Sequence, residues 1–164
     1  MYRVLVMGCS GSGKSTLARE LAKITGLLAV HLDQHYWRPD RTEPDKALWS
    51  AEIASLVAQP RWIMDGNYSS TLADRLSRAD TVVFLDMPTA LCLWRVLCRT
   101  LRHIGCTRDD MAKGCLARFD WPFLKYVSAI GVTADRKCGR PLMASQARWS
   151  FWGAHPPSLA ILPE

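Results

Sequence analysis

Nine consecutive residues, Gly8, Cys9, Ser10, Gly11, Ser12, Gly13, Lys14, Ser15 and Thr16, carry the most specific chemistry in this chain. They satisfy the pattern G-x-x-x-x-G-K-[ST], which is what a loop needs to wrap a polyphosphate. Gly8, Gly11 and Gly13 permit positive φ and close backbone approach, so successive N–H groups can converge on an anion. Lys14 adds a point charge for the β- and γ-phosphates, and Ser15 offers a hydroxyl to Mg²⁺. The expected ligands are therefore a nucleoside triphosphate, ATP or GTP, and Mg²⁺.

Such a loop needs a carboxylate near the metal, and Asp33, Asp65 and Asp86 all end apolar runs that read as strands. Open α/β sheets gather their ligands at strand carboxyl ends. Asp65 precedes Gly66, where the chain can turn beneath the phosphates, and takes the water-mediated Mg²⁺ role, with Asp86 second. Asp33 lies before an aromatic, proline-containing stretch and suits the phosphoryl acceptor, as an oxygen pair for a hydroxyl or as a base. Tyr36 or Trp37 would face the same acceptor. His31 reads as a packed strand residue and His35 as a loop residue.

A third group is cationic. The chain of 164 residues has a net charge of +6. Leu91 to Lys125 holds seven Lys or Arg against three Asp, and so contributes +4 of that total. Arg95, Arg99 and Arg102 fall at i, i+4 and i+7, one stripe of a helix whose neighbouring face carries Leu91, Trp94, Cys98 and Leu101. Two readings compete, an arm that grips phosphates over an active site, on which the stripe can converge, and a basic patch for nucleic acid.

The elements that must position these residues alternate. Tyr2 to Met7 is a strand, followed by a helix that ends at Gly26, and Leu27 to Leu32 is a second strand. Gln34 to Lys46 reads as a loop, and Asp45 to about Ala58 as a helix closed by Pro60. Arg61 to Asp65 is a third strand. Ser69 or Ser70 would cap a short helix with Leu72 and Leu76 inward. Thr81 to Leu85 is a fourth strand, after which Thr89 would cap the arginine-striped helix. This β-α-β-α-β-α-β-α order implies a parallel sheet with helices on both faces and right-handed crossovers.

Composition bounds the remainder. An apolar content of 49% over this length supports one α/β domain with a real core. No run of eighteen apolar residues and no signal-like segment is visible, so a cytoplasmic protein without a membrane span is expected. Six cysteines, at 9, 92, 98, 106, 115 and 138, include no C-x-x-C pair and no paired zinc spacing, and are expected to stay reduced. Cys92 and Cys98 read as small core residues.

Taken jointly, GCSGSGKST, HLDQHYW, WIMDGNYS, ADTVVFLDMP, LCLWRVLCRTLR, TRDDMAKGC and FDWPFLKYV resemble the adenylate-kinase-like branch of P-loop kinases. The resemblance is strongest to the bacterial DNA topology modulation proteins of FlaR-like type, and it covers about residues 1–127. It implies an α/β P-loop NTPase fold, a three-layer α/β/α arrangement of the nucleoside-monophosphate-kinase kind with five parallel strands. It also implies ATP and Mg²⁺ at the loop, an acceptor region after the second strand, and a lid over residues 89–118. By the same resemblance Arg95, Arg99, Arg102 and Arg108 match lid arginines. Arg108-Asp109-Asp110 looks like the lid's R-x-D-D element with the spacer lost.

Two departures follow. Adenylate kinases carry Asp-Gly-Phe-Pro-Arg where this chain has Asp65-Gly66-Asn67-Tyr68-Ser69, so the arginine that grips an acceptor monophosphate is absent, which argues against AMP. The second is residues 128–164, a tail with four prolines and no sustained period, unlike the family. Its abrupt start fits a shifted reading frame, and no fifth strand is expected from it.

The reading is a kinase that moves the γ-phosphoryl of ATP to a small acceptor, a nucleotide or a hydroxylated metabolite. Alternatives are a nucleotide-dependent regulator acting on DNA topology, which salt-dependent DNA binding would favour, and a protein impaired by its tail. No DNA-reading motif accompanies the basic segment. Lys14→Ala is expected to weaken triphosphate binding far more than nucleoside binding in calorimetric titrations, because Lys14 contacts only phosphates. Equal losses for the two ligands would refute the loop assignment.

Overall fold

A computed structural model describes residues 1–39, 42–105, 115, 121–125 and 127, and the backbone of Arg148–Gly153. Its sheet is built from β1 (Arg3–Gly8), β2 (Ala29–His31), β3 (Trp62–Asp65), β4 (Thr81–Asp86) and β5 (Arg148–Gly153). All pairings are parallel, in the order β2-β3-β1-β4-β5. The helices are α1 (Lys14–Thr25), α2 (Leu32–Tyr36), α3 (Lys46–Ala58), α4 (Leu72–Arg78) and α5 (Thr89–His103). A single 3₁₀ turn, Ser69–Thr71, precedes α4.

Period-two burial explains the layers. Val4 and Val6 of β1, with Ile63 and Leu85, face α1 through Ala18, Leu17 and Leu21. Leu5 and Met7, with Trp62, Met64 and Val82, face the opposite side, where α3 supplies Trp49, Ile53 and Val57. Adjacent strand residues point to opposite faces, so one apolar run serves two helical layers and makes a three-layer α/β/α fold. After β1 the chain moves outward to β2 and returns through β3, then crosses to β4 on the other side. That reversal puts the loop after β1 at the topological switch point, where such sheets open a ligand crevice.

Local signals account for most boundaries. Gly26 ends α1 in the left-handed region at φ 68°, its N–H bonded to Ala22 O. Asp45 caps α3, its side chain accepting from the N–H groups of Ala47 and Leu48.

Several expectations are corrected. The apolar run Leu27–Leu32 is a strand for only three residues, because Leu32 and Tyr36, four apart, turn together into the α3 side of the core as α2. The expected loop from Gln34 therefore begins as helix. Thr89 does not cap α5: Pro88 holds the cap position and no side chain bonds the first turn. Ser69 and Ser70 likewise cap nothing, as the 3₁₀ turn has Tyr68 at its cap without a side-chain bond.

The largest correction is in the tail. Arg148–Gly153 forms β5 beside β4, with Thr81 opposite Arg148 and Asp86 opposite Gly153. The strand occupies a proline-free window between Pro141 and Pro156 that carries Trp149, Phe151 and Trp152, residues suited to a pleated surface. The prolines bound the strand and do not interrupt it. The open edge of β4 supplies the ladder partners that the tail's irregular pattern did not disclose. The other tail residues, together with Cys106, Arg108 and the Arg108-Asp109-Asp110 element, lie outside the described residues.

One buried cation holds the site's floor. Arg75 is 0% exposed and donates, among the described residues, to backbone carbonyls and to no carboxylate. Its guanidinium donates to Gly66 O at 2.8 Å, Asn67 O at 2.7 Å, Tyr68 O at 2.7 Å and Thr71 O at 3.3 Å. Burial lowers its pKa to about 10, still far above neutrality. Arg75→Leu would leave these carbonyls without their donor and is expected to cost about 3–5 kcal/mol in chemical denaturation. Arg75→Lys should recover only a minor part, because one ammonium cannot span the carbonyls that the planar fork reaches. A loss under about 1 kcal/mol for Arg75→Leu would contradict this account.

Candidate active site

The glycine loop has the backbone that its sequence requires. Gly8, Gly11 and Gly13 lie at φ 140°, 87° and 102°. At Gly11 a Cβ would collide with Cys92 O, so the absence of a side chain lets α5 pack directly on the loop. Gly13 occupies the cap of α1, which has neither a side-chain cap bond nor an acidic residue in its first turn. The leading N–H groups of a helix have no intrahelical partner, and their partial positive charge favours an anion. Ser12 N donates to Cys9 O at 3.1 Å and Lys14 Nζ to the same oxygen at 2.9 Å, which holds the ammonium over the loop. Burial pushes the Lys14 ammonium below the usual lysine range, opposed by the negative charges of Asp33 and Asp65, while Arg99 pushes it further down.

Asp65 is joined to the loop. Ser15 Oγ donates to its Oδ2 at 2.6 Å, and its Oδ1 lies 2.6 Å from His31 Nδ1. The ladders explain the meeting: Val6 is opposite Asp65 across β1 and β3, and Asp65 is opposite His31 across β3 and β2. Asp86, the second candidate, is exposed at the end of β4, and the Ser15 hydroxyl goes to Asp65. His31 is more than a packed strand residue. Sequence reasoning missed this because only strand register reveals the cross-strand neighbour.

Asn67 ties the next loop to the first. Its Nδ2 donates to Gly8 O at 2.9 Å, and Gly8 N donates to its Oδ1 at 3.4 Å, so one amide pairs with both polar groups of the glycine. Beyond it, Tyr68 Oη donates to Asp33 Oδ1 at 2.5 Å and accepts a hydrogen bond from Trp37. Burial and the Asp33 charge push the Tyr68 phenol far up, which keeps it a donor. Tyr36, Trp37, Trp49 and Tyr68 form a ring cluster with centroids 4.5 to 5.3 Å apart. Asp33 is thus presented from the first turn of α2 beside aromatic walls, with Trp49 buried and Tyr36, Trp37 and Tyr68 half-buried.

Neither Asn67 nor Tyr68 was assigned a role from sequence, nor was Arg75. For Arg75 the burial shared with Thr71 and Ala79 at the two ends of α4 appears only in the structure.

The arginine helix faces the loop differently from expectation. Cys92 and Val96 are its buried residues, whereas Trp94 and Leu101 are 64% and 60% exposed. Contact with Gly11 sets this face: the Gly11 position lies against Cys92 O and Val96 Cγ2. Arg99 follows Cys92 and Val96 at helical spacing, so it is half-buried and electrostatically felt by Lys14, while Arg95 and Arg102 are exposed. A cavity of about 260 Å³ is lined, among the described residues, by Trp94, Arg95, Cys98, Arg99, Arg102 and His103. Cys92 is buried beside Cys9, and its thiol is pushed up to about 11 by burial and that neighbour. Cys98 is half-buried at the cavity and outside the core. Cys9, Cys92, Cys98 and Cys115 are free thiols.

Ser15 and Asp65 together offer hard oxygen donors suited to Mg²⁺, which takes few protein ligands and completes its shell with water and phosphate. Among the described residues no group of three or more His, Cys, Asp or Glu could hold a metal by itself, and no helix is long and apolar enough to cross a membrane.

No protein-family model matches the chain, and no curated protein matches it in sequence. Solved structures do match in shape. A gluconokinase from Sinorhizobium meliloti 1021 superposes with a TM-score of 0.55 at 18% identity, over 94% of this chain and 84% of its own. Shikimate kinase from Acinetobacter baumannii, in complex with shikimate, gives 0.57 at 16% identity, over 95% and 85%. Shikimate kinase from Bacteroides thetaiotaomicron gives 0.56 at 15% identity, over 93% and 86%. At such identities the likeness is one of architecture: the chain has the three-layer α/β/α fold of P-loop kinases.

Proposed function

We propose that this chain is a small kinase of the adenylate-kinase-like branch, close to the FlaR-like proteins, that transfers the γ-phosphoryl of ATP to a small hydroxylated acceptor. The 2.6 Å bond from Ser15 to Asp65 carries the reading, because it joins the loop hydroxyl to a strand-end carboxylate as a Mg²⁺–triphosphate site requires. The loop amides from Gly8 to Thr16 and Lys14 would hold the phosphates. Ser15 and Asp65 would hold Mg²⁺, Asp65 through water, and the ion would neutralise charge on the phosphate oxygens. Such chemistry asks the protein mainly for positioning and electrostatics.

Asp33 would orient the acceptor hydroxyl and accept its proton, with Tyr68 fixing the carboxylate by donating to its other side. The neighbours' names, gluconokinase and shikimate kinase, support a hydroxylated acceptor. The lack of an arginine in Gly66-Asn67-Tyr68-Ser69 supports one without a monophosphate. Arg95, Arg99 and Arg102, with Arg108 beyond the described residues, would serve as the lid. Among them Arg99 is nearest in effect to the phosphate site, since it already acts on Lys14.

A thermal-shift panel of nucleotides and hydroxylated metabolites identifies the ligands, since one present at 100 times its Kd adds about 2.7 kcal/mol of stability. With the acceptor in hand, Arg99→Ala should lower kcat by about 10³ or more in single-turnover kinetics, with a smaller effect on ATP affinity. Arg99→Lys should restore only part, because a point charge cannot reproduce the planar fork. Unimpaired turnover by Arg99→Ala would make the stripe a solvated face.

A further inference from the structure

We propose that His31 is a positioning residue for Asp65, and that it sets the Mg²⁺ requirement of triphosphate binding at the glycine loop; this rests on the nucleotide-site reading above. One carboxylate here meets two donors. Asp65 is 4% exposed and its two oxygens are assigned separately, Oδ2 to the Ser15 hydroxyl and Oδ1 to His31, each at 2.6 Å. A carboxylate accepts, so the proton of the second contact resides on Nδ1 of the imidazole.

The two contacts act in opposition. Rotation of the carboxylate about its last bond would improve neither, and would break both. The imidazole is itself 9% exposed and comes from β2, directly across the ladder from Asp65, so its donor is fixed by backbone register. In so dry a setting water cannot replace a lost donor at little cost. Removing it would leave Oδ1 an unsatisfied buried acceptor and let the carboxylate turn toward other donors, taking Oδ2 away from Ser15. The Ser15 hydroxyl would then lose the acceptor that orients its lone pairs toward a metal. Groups that orient ligands in this way change metal affinity by about 10–100-fold when removed.

A merely structural histidine would affect stability and leave metal dependence unchanged, which separates the two roles. The experiment is calorimetric titration of the full chain with ATP over a range of Mg²⁺ concentrations and in EDTA. His31→Leu should raise the Mg²⁺ concentration for half-maximal enhancement of ATP affinity by about tenfold or more. ATP affinity in EDTA should stay within about twofold, since the loop amides and Lys14 do not depend on this bond. His31→Asn should return the midpoint to within about threefold, because its Nδ2 stands as many bonds from Cα as the imidazole Nδ1 does.

Should His31→Leu fail to fold, His31→Gln against His31→Asn decides. The glutamine amide lies one methylene too far and should behave as the leucine variant was expected to. Equal Mg²⁺ midpoints in all folded variants, or an asparagine variant as impaired as its leucine or glutamine counterpart, would overturn the role of His31 alone. A wild-type chain whose ATP affinity ignores Mg²⁺ would overturn the Mg²⁺ assignment to Ser15 and Asp65 and this proposal with it, and one that binds no ATP would overturn the nucleotide-site reading itself.

Discussion

Parallel register between β1 and β3 is the constraint on which the site depends. With Val6 opposite Asp65, the residue that leaves β3 stands beside the strand that feeds the glycine loop, and Ser15 in the first turn of α1 meets the carboxylate. A slip of one residue would turn Asp65 to the other face and place Met64 or Gly66 there instead. The apolar alternation of both strands opposes that slip, because Trp62 and Met64 fill one layer while Ile63 fills the other. Core packing and site geometry are in this sense the same requirement.

Around that register the two loops are tied into one body. Asn67 pairs its amide with both backbone groups of Gly8, and Arg75 satisfies the carbonyls of Gly66, Asn67 and Tyr68 from below. These residues follow β3 in an irregular path whose polar groups would otherwise be buried without partners. A guanidinium suits the task because its donors are spread in a plane and stay charged even when burial lowers the pKa to about 10. The same path delivers Tyr68 to Asp33, so the Asp33 side of the crevice and the glycine loop share one support.

Charge is arranged around the loop with opposed signs. Asp33 and Asp65 draw the Lys14 ammonium toward its charged form, and burial with Arg99 works against it. A triphosphate would answer both cations at once, which gives the position of Arg99 a physical sense. Close approach of α5 to the loop, permitted at Gly11, is what brings that arginine within electrostatic reach.

From sequence alone the glycine loop, the alternating elements and the α1 and α3 boundaries were legible, because each rests on local pattern: residue type at fixed spacing, apolar periodicity, and cap chemistry. Asp65 was readable as a strand-end carboxylate, but its meeting with Ser15, 50 residues away, is set by strand register. The strand at Arg148–Gly153 was not legible, since a short aromatic run among prolines becomes a strand only when the edge of β4 offers it a ladder. Of the buried face of α5 only Cys92 was legible, since contact with Gly11 selected Val96 beside it over the bulkier Trp94 and Leu101. His31, Asn67, Tyr68 and Arg75 gained their partners only through tertiary structure. Apart from the bond of Arg75 to Thr71 O within one helical turn, their bonds join residues 7 to 59 apart, and a polar side chain's partner at such distance is decided by register and packing, which no local pattern encodes.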